Sequence, residues 1–148
     1  MKATLVLFLT LLTSLAIAQK SHLNAKKNLF LEGYDIVSYF EDGPVKGSED
    51  FEYGYQGATF RFKSKKNLES FMTDPQKYLP AYGGYCAYAI AVSGKKVKVD
   101  PETFEIRQGR LFLFYNFGKN NTLESWSKEN PEVLISKADK NWSKVIAK

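Results

Sequence analysis

Phe51-Glu52-Tyr53-Gly54-Tyr55-Gln56-Gly57-Ala58-Thr59-Phe60-Arg61-Phe62 is the stretch on which the fold of this 148-residue chain turns. Phe51, Tyr53 and Tyr55 share one face of a period-2 run, and Phe60 and Phe62 share one face of the next. Alternation across a two-residue, glycine-containing connection, Gln56-Gly57, predicts a β-hairpin with an aromatic face. Toward the C-terminus, Ser64 caps a predicted helix that runs to Thr73, with Leu68, Phe71 and Met72 at i, i+3 and i+4 as a buried stripe. Asp74-Pro75 stops that helix and opens a further turn carrying Tyr78 and Leu79. Toward the N-terminus, Gly33-Tyr34-Asp35-Ile36-Val37-Ser38-Tyr39-Phe40 reads as a turn into a short helix, with Asp35 near its N-cap.

The second half repeats the strand logic. Gly94 and the lysines at 95, 96 and 98 form a connection, and Asp100-Pro101-Glu102 reads as a turn. Phe104 and Ile106 alternate with charged residues, and Gln108-Gly109 leads into Leu111-Phe112-Leu113-Phe114-Tyr115, apolar on both faces. Such a strand is expected at the centre of a sheet, covered on each side. Thr122 is expected to cap a helix carrying Leu123 and Trp126. Asn130-Pro131 supplies an N-cap and first-turn proline for a final helix, whose Leu134, Ala138 and Trp142 keep to one face and should dock against the sheet. The result is an α+β domain: two β-hairpins in a small, mainly antiparallel sheet, several short helices and a C-terminal amphipathic helix, without βαβ alternation.

The first residues bear on compartment. Met1-Lys2 precedes an uncharged apolar run, residues 3–18, ending in Ala16-Ile17-Ala18. A basic start, an apolar stretch and a small-x-small cleavage site are the layout of a secretory signal peptide, with a membrane anchor as the alternative. Residues 1–18 are therefore expected to be removed, residues 19–28 to form a polar, lysine-rich flexible lead-in, and residues 29–148 to fold as one domain. The expected location is periplasmic or secreted. No second apolar run is long enough to span a membrane. With 11 Phe, 9 Tyr and 2 Trp the chain can build a core without disulfides. The formal net charge of +5 falls to +4 when Lys2 is removed. An exported chain of that modest charge is not expected to meet nucleic acid, and an acidic envelope surface is the partner the charge would suit. Lys63, Lys65 and Lys66, and Lys95, Lys96 and Lys98, read as solvated faces.

The chemistry centres on Tyr82-Gly83-Gly84-Tyr85-Cys86-Ala87-Tyr88-Ala89, which holds the chain's single cysteine. Cys86 has no internal disulfide partner, which leaves a buried structural thiol, pairing with another chain, a redox-active thiol, or metal binding. A nucleophilic role would need a general base, and the only histidine, His22, lies in the lead-in. Cys-x-x-Cys, P-loop and dinucleotide motifs are absent, so the reading is non-enzymatic. Copper(I) would suit the thiolate with help from Met72, a tyrosine or a second molecule, although Met72 reads as core. Tyr82, Tyr85, Tyr88 and Asp35 are the candidate pocket residues around Cys86, with Asp35 read first as a cap. Gly83 and Gly84 read as close backbone approach or positive φ.

Taken in order, residues 33–40, the hairpin at 55–62, the stretch from Phe71 to Leu79 and Gly83-Gly84-Tyr85-Cys86-Ala87-Tyr88 resemble exported, single-domain members of the YHS domain family. The resemblance runs from about Leu29 to Trp142. It implies a likeness to TRASH-like domains of copper and heavy-metal handling proteins, whose cysteines flank the start of the helix after the second hairpin strand. The corresponding positions here are close to Lys63 and Asn67, with an earlier one near Val37 and Ser38, and none is a cysteine. The family's usual metal site is therefore not carried over, and the reading is a binding module that would take copper or another soft metal through Cys86. The alternatives are a redox-active single-thiol protein and a structural interaction domain with an inert buried cysteine.

Overall fold

The computed structural model describes residues 22–148. The signal-peptide expectation for residues 1–18 lies outside them. Two short strands open the fold, β1 (Ala25–Lys26) and β2 (Leu29–Phe30), followed by 3-10 turns at Leu31–Gly33 and Ser38–Phe40. The aromatic hairpin is β3 (Ser48–Tyr55) and β4 (Ala58–Phe62). Gln56 and Gly57 both have positive φ, as a type I′ hairpin turn requires. Helix α1 (Lys65–Thr73) starts where Ser64 accepts from the Asn67 N–H, and α2 (Pro75–Tyr78) is capped by Asp74. A 3-10 turn at Ala81–Gly84 leads to α3 (Ala87–Ser93). Then come the hairpin β5 (Asp100–Arg107) and β6 (Arg110–Phe114), the short pair β7 (Asn116–Phe117) and β8 (Asn120–Asn121), α4 (Thr122–Lys128) and α5 (Pro131–Ile146). Among the described residues no helix is long and apolar enough to cross a membrane.

The α+β class holds, but the two hairpins lie in separate sheets. β1-β2-β4-β3 form one, with β2 parallel to β4, while β5-β6 form another. Strand β6 explains the division. Its Leu111 and Leu113 join the core built on Phe30, Phe60, Phe62 and Phe71, and its Phe112 and Phe114 join a second core with Ile90, Trp126, Leu134 and Ala138. Covered on both faces as its sequence demands, β6 is a partition between two cores rather than the centre of a wide sheet. Among the described residues its far edge makes one bridge, from Leu113 to Cys86.

Several local expectations change for identifiable reasons. Asp100-Pro101-Glu102 lies inside β5, at an irregularity in its register with β6, rather than in a turn. Asn121, not Thr122, caps α4, because the Thr122 hydroxyl is engaged elsewhere. Met72 is 51 % exposed, because the buried face of α1 runs through Asn67 and Phe71. Helix α5 packs chiefly on α3, where Asn141 Nδ2 donates to the carbonyls of Ile90 and Ala91 at 2.9 and 3.1 Å. From His22 onward the expected flexible lead-in is built into the fold, with Asn24 N–H on the Gly83 carbonyl and β1 paired to β2.

Candidate functional site

Cys86 sits at the cap of α3, with its N–H on the Val97 carbonyl, and is fully buried. Its Sγ lies 3.3 Å from Thr122 Oγ1, and Thr122 Oγ1 lies 3.0 Å from the Tyr115 carbonyl. A carbonyl only accepts, so the single hydroxyl proton of Thr122 goes to Tyr115. The thiol must then donate to Thr122, and the pair is satisfied by a protonated Cys86. A buried, hydrogen-bonded thiol of this kind is a packing element, unlike the exposed thiolates that carry chemistry.

The tyrosines of the same segment do not close around it. Tyr82 donates to Asp139 Oδ1 at 2.9 Å, Tyr85 to the Leu23 carbonyl at 3.3 Å, and Tyr88 to Glu129 Oε1 at 2.7 Å. Tyr82 and Tyr85 meet at Trp142, with ring centroids 6.1 and 6.5 Å away, whereas Tyr88 faces α4. Burial, then the Asp139 carboxylate, pushes the Tyr82 phenol up; burial does the same to Tyr85, and the Glu129 hydrogen bond to Tyr88. All three therefore stay neutral phenols near pH 7, poorly suited to help a thiolate hold copper.

Asp35 belongs to a different place. It is fully buried, and its carboxylate accepts four N–H groups. Oδ1 takes Val37 N–H at 2.8 Å and Ser38 N–H at 3.2 Å, while Oδ2 takes Lys63 N–H and Asn67 Nδ2, each at 2.8 Å. With only donors facing it, the group is an acceptor-only carboxylate. It caps the turn after Gly33, as its sequence position suggests, and also ties that turn to the junction of β4 and α1. These partners are the positions that the family resemblance matches to metal ligands. Here they offer N–H groups to Asp35, and the Lys63 ammonium turns away to Asp42 and Glu41 at 3.0 and 3.3 Å. A soft metal does not fit this donor set. Among the described residues no three His, Cys, Asp or Glu side chains are grouped to hold a metal.

Gly83 shows what the paired glycines do. Its φ is +62°, and a Cβ there would collide with the His22 carbonyl. The close approach lets Asn24 donate its N–H to the Gly83 carbonyl and its Nδ2 to the Gly84 carbonyl, at 2.8 and 2.9 Å. His22, read as part of a mobile arm, packs edge-on to Trp142 with its Nδ1 3.1 Å from the Lys96 ammonium. Lysine has no acceptor, so Nδ1 is the acceptor in this contact.

Two clefts flank this strap, and residue spacing marks neither because each is assembled from distant segments. One, of about 300 Å³, lies among His22, Gln56, Gln76, Tyr82 and Trp142. The other, of about 250 Å³, lies among Lys26, Leu31, Glu32, Lys98, Val99 and Phe117. The only signal for the second was the basic run at 95–98. No curated protein and no solved structure matches the chain. The family model described as YHS domain matches residues 36–82, from the turn that Asp35 caps, through the aromatic hairpin and α1, to Tyr82. Cys86 and the β5–β6 half lie beyond that match, so the likeness of this chain to the YHS domain family rests on residues 36–82.

Proposed function

We propose that this protein is a small exported, non-enzymatic binding module that takes its ligand at the surface and keeps Cys86 as part of its packing. One observation carries the reading: the chain's sole thiol is fully buried, with its Sγ 3.3 Å from Thr122 Oγ1. Such a group is neither a ready nucleophile nor a redox centre. The YHS match is compatible with a metal-binding module, and copper or another soft metal is the class we take from the resemblance to TRASH-like domains. Cys86 could reach that metal only after the packing around it opened.

Two measurements on folded protein test this. Iodoacetamide should modify Cys86 slowly at neutral pH and quickly after unfolding; rapid stoichiometric labelling of the native state would return the redox reading. Native mass spectrometry of protein recovered from its host should show a retained small molecule or metal with Cys86 uncapped. Stoichiometric Cu(I) that disappears in Cys86→Ser would overturn the structural role of the thiol. Recovery with no bound species, and no saturable binding in a ligand screen, would remove the binding-module reading itself.

A further inference from the structure

We infer that the cleft between the first turn and β7 is a site for small organic anions with a flat apolar body, aromatic carboxylates being the fitting class. The inference rests on the binding-module reading and departs from it in ligand class, because a cleft of ammoniums and apolar surface suits an organic anion and not a soft metal. Three distant segments build the cleft: Lys26 and Leu31 come from the strap and its turn, Lys98 and Val99 from the connection after α3, and Phe117 from β7. Its floor is apolar, with Leu31 2 % and Val99 6 % exposed, and Phe117 stands at its edge 39 % exposed. A volume of about 250 Å³ suits one or two fused rings rather than a polymer.

Charge selects the ligand's sign. Lys26 and Lys98 are exposed, and neither forms an ion pair with another described residue. The Lys98 ammonium rests 4.3 Å from the centre of the Phe117 ring, held there by the ring's electrons in place of an acid. An arriving carboxylate gives both ammoniums an acid partner that no other described residue supplies, and its ring can lie along the Phe117 edge and the Leu31–Val99 floor. The overall positive charge favours approach of such an anion. Glu32 at the rim opposes it, so the cleft carries a net single positive charge. The turn under Glu32 is fixed by the Lys46 ammonium, which donates to the Glu32 carbonyl at 2.6 Å.

The test is an NMR titration of the purified protein with 2-naphthoate and its neutral analogue 2-naphthamide. Saturable shifts are expected at the amides of Lys26, Leu31, Lys98 and Phe117, with the carboxylate binding about tenfold more tightly than the amide. In the double variant Lys26→Gln, Lys98→Gln that preference should vanish, and in Glu32→Gln it should increase. Equal affinity for the two probes, an unchanged preference in the double variant, or the absence of saturable shifts at these amides overturns the site. Shifts confined to the cleft at Trp142 also overturn it while leaving the binding-module reading intact. That reading is judged separately, by the species the host-derived protein retains.

Discussion

Replacing Asp35 by alanine should remove most of the stability of this protein. The substitution deletes one carboxylate and strands four donors: the N–H groups of Val37, Ser38 and Lys63 and the side-chain amide of Asn67. Each buried donor left without an acceptor costs about 1–3 kcal/mol, and the junction at Lys63 is only partly buried, so the sum is about 4–10 kcal/mol. A domain of this size has about 5–15 kcal/mol in hand. Asp35→Asn keeps the volume but presents one carbonyl oxygen and one NH2, so two of the four donors would face another donor, at about 3–5 kcal/mol. Asn67→Ala removes one bond and leaves Oδ2 still served by Lys63, at about 1.5–3 kcal/mol. Urea unfolding followed by the fluorescence of Trp126, which is fully buried, should rank the three in that order. A loss below about 1 kcal/mol in Asp35→Ala would refute the assignment of Asp35 as the tie between the first turn and the hairpin–helix junction.

Gly83→Ala should release the strap, because the new Cβ meets the His22 carbonyl at a positive φ; the cost is about 1–3 kcal/mol, and hydrogen-exchange protection should fall first at Asn24 and Leu31. Acid should destabilise the second core. Burial pushes the Asp139 carboxyl up, but hydrogen bonds from Arg110 and Tyr82 outweigh it and hold the group below the ordinary range; Glu105 is held low in the same way by Arg107 and Trp126. Folded values lowered in this way give stability that is present above the ordinary carboxylate values and lost as pH falls through the folded ones. The urea midpoint should therefore drop below about pH 4.5, and less steeply in Asp139→Asn. A midpoint flat to pH 3, or an unchanged slope in the variant, would contradict this.

The elements legible in the sequence were those whose cause is local. The hairpin turn at Gln56-Gly57, the Ser64 and Asn130 caps, the stop at Asp74-Pro75 and the period-2 aromatics depend on a few neighbouring residues, and each stands where its spacing puts it. Apolarity on both faces of β6 was equally visible, but what covers those faces was not. Periodicity also put Met72 inside and made Thr122 a cap. The first fails because α1 is rotated to bring Asn67 to Asp35, and the second because the Thr122 hydroxyl serves Tyr115 and Cys86.

The sequence by itself determined the α+β class, the hairpins, the helix starts and the family likeness, because these rest on backbone chemistry and side-chain alternation over short spans. Only the tertiary structure decided the state of Cys86, the role of Asp35 and the docking of residues 22–26. Each depends on donors and acceptors brought together from tens of residues apart, as when the thiol meets Thr122 or the carboxylate meets Asn67. A single chain carries no local mark of such meetings, since a hydrogen bond is chosen by which partner packing delivers within about 3 Å.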